Sequence, residues 1–478
     1  MSEKIDNLRL SLLCGVYALF YTFCLYKNYS GVTFPFFVVG TLCFFGYFMR
    51  RQGLTMKRFS AFLIAGIMIF SVNICLTGSM VLIGFDRAFI FVLFFILILH
   101  NLYDDKTWDT SRYFTAILST VASSIQFLPR PIQDIIRRLK SHRQEEEGEK
   151  KGPGTIFYIF AGLAISLPIL LIVVPLLASS DAVFSDMLIK MLDFEFDEDI
   201  AGVAFMMIAV FFIAYAFIIR FNIRISKLDQ EVTDKRRFNP VVATTISAVM
   251  FIVYGLYCMI QIVYLFMGYG TLPQGYTYAE YVHEGFYQLV FVCIINLVLV
   301  LLCRKYSRDN TVLKIMLSLI SLCTFIMIFS SAYRMALYVD AYGLTFLRLY
   351  VMWALVVIGL AMTGTLVYIF ASGMPFCKYC IVVLTCMWVA FILIRPDYII
   401  AKYNFLSQEN CDTYYIIHNL SSDAAPAVEH YADDDVKEEY LKRIYSDQKV
   451  CNMNLRTFNY SRWIAAGLVS KESGNLSP

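Results

Sequence analysis

Long apolar segments separated by short polar loops dominate the pattern along this chain. A helix needs about 20 predominantly apolar residues to cross the hydrocarbon core of a bilayer, and eleven segments have this character. We predict membrane spans at residues 8–26, 33–49, 59–76, 87–103, 156–177, 201–219, 240–267, 286–303, 311–330, 349–370 and 379–394. The pattern therefore predicts an all-α polytopic membrane protein, followed by a small and mostly helical C-terminal domain.

The composition excludes a soluble fold. Hydrophobic residues make up 59% of the chain and charged residues 16%, whereas soluble domains contain about 25% charged residues. A single soluble fold of 478 residues could not bury so much apolar surface. The net charge of +3 is small, so the distribution of charge matters more than its total. We expect no nucleic-acid partner.

The polar segments divide the chain into four parts. Residues 1–103 form the first group of spans, 104–155 a cytoplasmic amphipathic and basic segment with a linker, 156–394 the transmembrane core, and 395–478 the C-terminal domain. In that last part, helical spacing is shown by Ala427, Val428, Tyr431, Val436, Tyr440, Leu441 and Ile444. This spacing predicts two short helices, the first with Pro426 in its first turn.

Lys and Arg residues set the expected orientation in the cell membrane. They concentrate in loops on one side of the predicted topology, such as 50–58 and 220–239. The positive-inside rule then places these loops and the N-terminus in the cytoplasm. Eleven spans place the C-terminal domain on the extracytoplasmic side.

The segment after the fourth span combines an apolar stripe with a basic cluster. The stripe consists of Phe114, Ile117, Leu118, Val121, Ile125 and Leu128 at helical spacing, and the cluster of Arg130, Arg137, Arg138, Lys140 and Arg143. Such a helix is suited to lie on anionic lipid headgroups, which would contact residues 130–143. An ordinary helix packed on the inner end of the bundle has the same pattern, so both interpretations stay open.

The strongest candidate site surrounds residues 330–348, between two long apolar runs. Arg334 follows the ninth span, Arg348 opens the tenth, and Asp340 lies between them, while Glu280 and Glu284 share one face of a helix leading into the eighth span. One interpretation is an outward-facing polar pocket of these five residues; the other is a set of ion pairs that fix helix ends at the interface. Because the eighth and ninth spans are consecutive, we expect Arg334 to pair with Glu280 or Glu284.

The sequence carries no recognisable catalytic, metal or cofactor motif. It has no phosphate loop ending in GK[ST], no HExxH and no GxSxG, and its five histidines show no ligand spacing. We therefore expect no catalytic residue, metal or cofactor. Most of the 13 cysteines lie in spans, where Cys behaves as a small hydrophobe, but Cys411 and Cys451 could form a disulfide. Polar residues within spans are expected to form interhelical hydrogen bonds; they are Asn73, Gln261, Gln288 and Asn296.

Several motifs resemble a family of bacterial inner-membrane proteins. They are SSDAVF at 179–184, TYAEYVHEGFYQL at 277–289, YRMALYVDAYGLTFLRLYVMW at 333–353, RPDYIIAKYN at 395–404, SSDAAPAVEHY at 421–431 and FNYSRW at 458–463. The family is a domain of unknown function, number four-one-seven-three, related to four-one-five-three. The resemblance covers residues 156–463 and implies a membrane location and motifs that belong together. It implies no activity, substrate or cofactor.

Three functions remain compatible with the sequence. The first is a non-enzymatic sensor or assembly partner for proteins of the cell envelope, which fits the absence of catalytic motifs and the basic loops available for docking. The second is a transporter or channel with an outward-facing polar pocket. The third and weakest is a membrane enzyme that acts on a lipid-linked substrate, with Glu280 or Glu284 as the base.

Overall fold

The structure is a computed structural model. It describes residues 7–106, 108–134, 136–137, 198–221, 223, 239–263, 286–371, 373–407, 411–446 and 453–475, with isolated positions between 166 and 187. The described part contains helices and no β-strand. The predicted all-α class is confirmed.

Sixteen α-helices are numbered here in chain order within the described part. The first eleven are α1 (Asn7–Leu25), α2 (Thr33–Arg51), α3 (Arg58–Leu76), α4 (Met80–Leu102), α5 (Thr110–Ile125), α6 (Glu198–Phe221), α7 (Pro240–Gln261), α8 (Phe286–Tyr306), α9 (Thr311–Tyr342), α10 (Phe346–Phe370) and α11 (Phe376–Leu393). The C-terminal part adds α12 (Pro396–Ser407), α13 (Thr413–Asn419), α14 (Ala425–Tyr431), α15 (Asp434–Ser446) and α16 (Tyr460–Asn475).

Ten of these helices, α1–α4 and α6–α11, are long and apolar enough to cross a membrane. They correspond to ten of the eleven predicted spans. The remaining prediction, at 156–177, lies outside the continuously described residues. The chain is a multi-pass membrane protein.

Two helices are longer than the sequence pattern predicts. We expected the fourth span to begin near Arg87, but α4 begins at Met80, so Asp86 and Arg87 lie inside the helix rather than at its end. Likewise, α9 continues through Arg334 to Tyr342 instead of ending at 330. No Gly or Pro interrupts 311–342, and at about 1.5 Å per residue this helix exceeds the hydrocarbon thickness. It ends at Gly343, whose φ of +76° is strained for any residue with a Cβ.

The chain divides into two compact units, and the first consists of residues 1–28, 39–55 and 116–225. In this unit α1 packs along α6. Lys27 forms an ion pair with Asp199, and Phe45 of α2 meets Phe217 of α6 edge to face, with ring centroids 5.3 Å apart.

The second unit consists of residues 29–38, 56–115 and 226–478. The α3–α4 hairpin forms one part of it, and α9 packs against α7, α8 and α10 in another, while α11 contacts both α10 and α3. Within this unit the C-terminal helices contact the candidate spans, α12 on α10 and α16 on α3. Whether residues 395–478 also form an independent domain stays a prediction.

The C-terminal helices bury five of the side chains that the helical spacing selected and half-bury the other two, Tyr431 and Val436. Val428, Tyr440 and Leu441 are at most 2% exposed, and Pro426 occupies the first turn of α14. Asp434 and Asp435 lie in the first turn of α15, where negative charge is favourable to the helix dipole. The predicted helical character of this segment is confirmed.

Candidate functional site

The residues of the predicted polar pocket are not all described. Glu280 and Glu284 lie outside the described residues. Arg334 is buried within α9, at 4% exposure, whereas Asp340 is exposed near the C-terminal end of the same helix. Arg348 lies in the first turn of α10. The pocket as a whole therefore stays a prediction.

Arg334 is held by α7. Its Nη2 donates to Oε1 of Gln261 at 3.1 Å, and Ser330 Oγ donates to the same oxygen at 2.7 Å. All three side chains are buried. This contact joins α7 and α9 through polar groups. The expected pairing of Arg334 with Glu280 or Glu284 stays a prediction, because both glutamates lie outside the described residues.

Arg348 stabilises the end of α9. Its guanidinium donates to the carbonyl oxygen of Tyr342 at 2.8 Å and also to that of Gly343. It lies 4.2 Å from the ring centroid of Tyr338, which is a favourable cation–π distance. Cationic groups near helix C-termini interact favourably with the last carbonyls. These contacts are at a helix end but are not ion pairs, so the alternative of interfacial ion pairs stays a prediction.

Three of the four polar residues noted within spans form interhelical hydrogen bonds, as predicted. Asn296 of α8 donates to Thr324 of α9 at 3.0 Å, and Gln261 contacts α9 as described above. Asn73 of α3 donates to Asp86 of α4 at 2.7 Å. Gln288, by contrast, is exposed.

Asp86 is a fully buried carboxyl group inside a span. Its Oδ2 accepts the bond from Asn73, and its Oδ1 accepts the indole N–H of Trp388 on α11 at 2.7 Å. Phe89 and Phe391 stack on Trp388, at centroid distances of 5.2 and 5.3 Å. Intramembrane carboxyl groups are costly and need partners; here two neutral donors bind the two oxygens. Asp86 thereby joins α3, α4 and α11.

A second polar group, the His100 cluster, lies at the far end of the same hairpin. It consists of Lys57, His100, Asn101, Asp105, Tyr113 and Lys378. Asp105 Oδ2 lies 2.7 Å from His100 Nδ1 and accepts the Tyr113 hydroxyl, while Asp105 Oδ1 accepts Lys378 Nζ at 2.8 Å. A carboxylate only accepts, so the proton of His100 is on Nδ1. The side chains of His100, Asp105 and Tyr113 are buried.

The His100 cluster fixes the charge of Asp105. Burial alone would raise the pKa of Asp105, but the bonds from His100, Lys378 and Tyr113 outweigh it and hold this pKa well below its ordinary value. Asn101 adds a second set of contacts, because its Oδ1 accepts the Lys57 amide at 3.1 Å and Ser60 Oγ at 3.0 Å. Together these bonds join α3, α4, α5 and α11 at one end of the hairpin.

The other end of the hairpin carries a network that we call the C-terminal network. It consists of Thr77, Gly78, Leu344, Asp397, Asn404, Ser421, Ser422, Asp423, Asn459 and Ser461. In the α3–α4 turn, Gly78 N donates to Asp423 Oδ1 at 2.8 Å, and the Thr77 hydroxyl donates to Oδ2. A Cβ on Gly78 would lie 1.9 Å from Ser422 Oγ. Only glycine allows this close approach.

Asn459 closes the C-terminal network on the membrane helices. Its fully buried amide donates to the carbonyl oxygens of Ser30, Ile74 and Thr77 at 3.1, 3.3 and 2.9 Å. Its Oδ1 accepts the backbone amide of Arg462 at 3.2 Å. One side chain thus satisfies carbonyls at the end of α3, where the last carbonyls of a helix have no intrahelical partners, together with the carbonyl of Ser30 in the segment before α2.

Asp397 and Asn404 of α12 complete the network. Asn404 exchanges two hydrogen bonds with the backbone of Leu344, at 2.6 and 2.8 Å. Asp397 Oδ2 accepts the Ser421 amide at 3.1 Å and its hydroxyl at 2.5 Å. Burial raises the pKa of Asp397 to about 6, and the negative charge of Asp423 adds to this, although the bonds from Ser421 and the charge of Arg443 oppose it.

Asp397 should make the stability of the protein depend on pH. Because its pKa is higher in the folded state than the ordinary value, the folded state binds the proton more tightly. The free energy of unfolding should therefore fall as the pH rises from about 4 to about 6 and then level off, by about 3 kcal/mol in total. Melting temperatures of the purified protein between pH 4 and 8 should show this fall.

The matched variants isolate Asp397. Asp397→Asn should flatten the pH profile, because the amide does not titrate, whereas Asp435→Asn, at an exposed acid of α15, should leave the fall in place. A profile of Asp397→Asn with the same fall as the unmodified protein would contradict the assignment.

Metal and disulfide sites have no described counterpart. Within the described ranges, no group of three or more His, Cys, Asp or Glu side chains is arranged to hold a metal ion. Cys411 is half-buried, but Cys451 lies outside the described residues, so the disulfide stays a prediction.

The family comparison covers most of this architecture. A family model described as Domain of unknown function (DUF4153) matches residues 59–431, which is more than half of the chain. The chain belongs to the DUF4153 family. No curated protein and no solved structure matches it. From the sequence we expected the family numbered four-one-seven-three, which is related to four-one-five-three. The family model that matches is four-one-five-three.

The DUF4153 match also extends further toward the N-terminus than the resemblance did. It includes α4 and all of α3 except Arg58, both of which lie outside the range of the resemblance. The Asp86 contacts and most of both polar clusters therefore lie inside the family region. Asn459 and Ser461 lie beyond it.

Four of the quoted motifs meet in the C-terminal network. Leu344 belongs to the motif at 333–353, Asp397 and Asn404 to 395–404, Ser421 and Asp423 to 421–431, and Asn459 to 458–463. The sequence predicted that these motifs belong together, but the candidate site residues named from it were different ones. The motifs themselves were the sequence signal that pointed to the C-terminal network, because small polar residues such as Asn and Ser give no periodic pattern.

Proposed function

We propose that this DUF4153 protein is a non-enzymatic membrane sensor in the cell envelope. In this proposal the C-terminal helices, on the extracytoplasmic side, receive the stimulus from an envelope protein or ligand. The α3–α4 hairpin transmits it to the His100 cluster on the cytoplasmic side. Basic loops on that side, such as 50–58, would receive a cytoplasmic partner.

The observation that carries the proposal is the distribution of polar contacts along the hairpin. Its turn contacts Asp423 and Asn459, the second turn of α4 contacts Trp388 through Asp86, and the far end contacts Lys378 through Asp105. Polar contacts inside a membrane are few and directional. A shift of the α3–α4 turn would therefore exchange its hydrogen-bond partners, whereas an apolar surface would let the turn slide. Such a hairpin is suited to couple two distant sites. A change measured at one site after perturbation of the other would demonstrate the coupling.

Hydrogen exchange tests the coupling. We expect Asp423→Asn, which weakens the contacts to Thr77 and Gly78, to accelerate amide exchange by several-fold at 57–60 and 100–113 in the protein reconstituted in nanodiscs. Asp435→Asn is the control, because it removes an exposed charge from the same C-terminal part.

Two results would count against a sensor. Changes confined to the C-terminal network, with 100–113 unaffected, would show that the hairpin does not couple its ends. A solute or proton flux into sealed liposomes that is lost in Asp86→Asn would instead favour the transporter alternative.

A further inference from the structure

Helix α5 presents three distinct faces along its length. Tyr113, Ala116 and Thr120 form the buried face. The exposed apolar face consists of Phe114, Leu118, Val121 and Ile125, which are 67%, 58%, 37% and 62% exposed. Thr115 and Ser119 lie on a third face that is exposed and polar. With about 100° of rotation per residue, these faces follow one another around the helix. A helix at a lipid–water boundary beside a protein needs this threefold division.

The first half of α5 lies at the level where membrane-spanning helices end. In the second unit, Tyr113 donates to Asp105, which also binds His100 in the last turn of α4 and Lys378 in the first turn of α11. Both of these helices are candidate spans. Residues 110–115 are therefore held near the membrane surface.

The second half of α5 has an equivalent contact within the first unit. Arg220, in the last turn of the candidate span α6, donates from Nε to Ser123 Oγ. Residues 116–125 are therefore also held at the end of a span. Each half is thus anchored, within its own unit, at the end of a candidate span.

The length and the charge of this region also favour a lipid surface. With 16 residues, α5 is about 24 Å long, too short to cross the bilayer upright. Arg112 lies near the start of α5. Arg130 follows the helix, and its Nε lies 3.9 Å from Oδ1 of Asp134. Arg137 follows and is exposed.

We propose that α5 lies in the plane of the membrane surface, with Phe114, Leu118, Val121 and Ile125 among lipid acyl chains and with anionic phospholipid headgroups bound by Arg130 and Arg137, which follow it. Amphipathic helices of this kind bind through buried apolar area together with attraction to anionic lipids. The proposal is independent of the sensor function.

Spin labels at adjacent positions test the placement. Leu118→Cys and Ser119→Cys, in a background without the 13 native cysteines, would be labelled with a nitroxide in phosphatidylglycerol nanodiscs. The label at 118 should be several-fold more accessible to oxygen than to a water-soluble nickel complex, and the label at 119 should show the reverse. Equal water accessibility at both positions would overturn the proposal, as would protection of 118 from both reagents, which a covering protein would produce.

A second pair of variants avoids dependence on the cysteine-free background. Leu118→Trp and Ser119→Trp in the native chain should differ in quenching by brominated phospholipids, after subtraction of the four native tryptophans. Only the tryptophan at 118 should be quenched strongly. Equal quenching of both would contradict the placement.

The lipid headgroup is tested separately. The water accessibility of the label at 118 should be lower in phosphatidylglycerol than in phosphatidylcholine nanodiscs. Replacing Arg130 and Arg137 with glutamine should reduce this difference. An accessibility that is the same in both lipids would overturn the anionic preference.

Discussion

Asn459→Asp is expected to prevent the accumulation of folded protein. The substitution conserves shape but exchanges the amide that donates to the carbonyls of Ser30, Ile74 and Thr77 for a carboxylate oxygen. Three carbonyl oxygens would then face an acceptor in a position with no solvent exposure. Leaving buried groups without partners costs about 1–3 kcal/mol for each, and more for a charge. We expect a total loss on the order of 4 kcal/mol or more.

The control for this substitution is Asn454→Asp in the same segment. Asn454 is exposed, and its Oδ1 accepts the amide of Thr457 at 2.9 Å, a bond that aspartate keeps. Monodisperse yield after detergent extraction should fall sharply for Asn459→Asp and stay unchanged for Asn454→Asp. Similar yields of both variants would show that the Asn459 contacts do not hold the C-terminal helices to α3.

The second large effect is expected at Gln261 and Arg334. Gln261→Met removes the oxygen that accepts Arg334 Nη2 and Ser330 Oγ and leaves a buried guanidinium with a lost bond. Hydrogen bonds to charged groups contribute about 1.5–3 kcal/mol. We therefore expect Gln261→Met to lower the free energy of unfolding, measured in mixed detergent micelles, by about 3 kcal/mol. Arg334→Met in the same chain should recover part of this loss.

A double-mutant cycle separates the two partners considered for Arg334. Non-additivity between Gln261→Met and Arg334→Met would establish the described contact, and additive losses would refute it. The same cycle with Glu284→Gln addresses the ion pair expected from the sequence. Strong coupling of Arg334 to both residues would mean that Gln261 and Glu284 surround one guanidinium.

The hydrophobic pattern alone determined the class of protein and ten of its spans. Hydropathy is a local property that needs no knowledge of partners, because every backbone group in a bilayer must be satisfied within its own helix. The pattern was wrong where it ended spans at charges. Arg334 is inside its helix because the backbone continues without Gly or Pro, whereas Asp86 is inside α4 although Gly84 precedes it. Side chains on other helices bind both residues.

Only the tertiary structure decided which polar residues form the candidate site. Asp423 and Thr77 are separated by 346 positions and Asn459 and Thr77 by 382, and no spacing rule connects residues so far apart. The motif positions indicated the right segments, whereas the charged residues chosen within them included Arg348, whose described contacts are at a helix end. Charge is conspicuous in an apolar sequence, but a buried amide such as Asn459 acts through the three carbonyls around it. Two of those carbonyls, of Ile74 and Thr77, lie at the end of α3 and the third, of Ser30, precedes α2, so Asn459 meets all three only when these segments have packed.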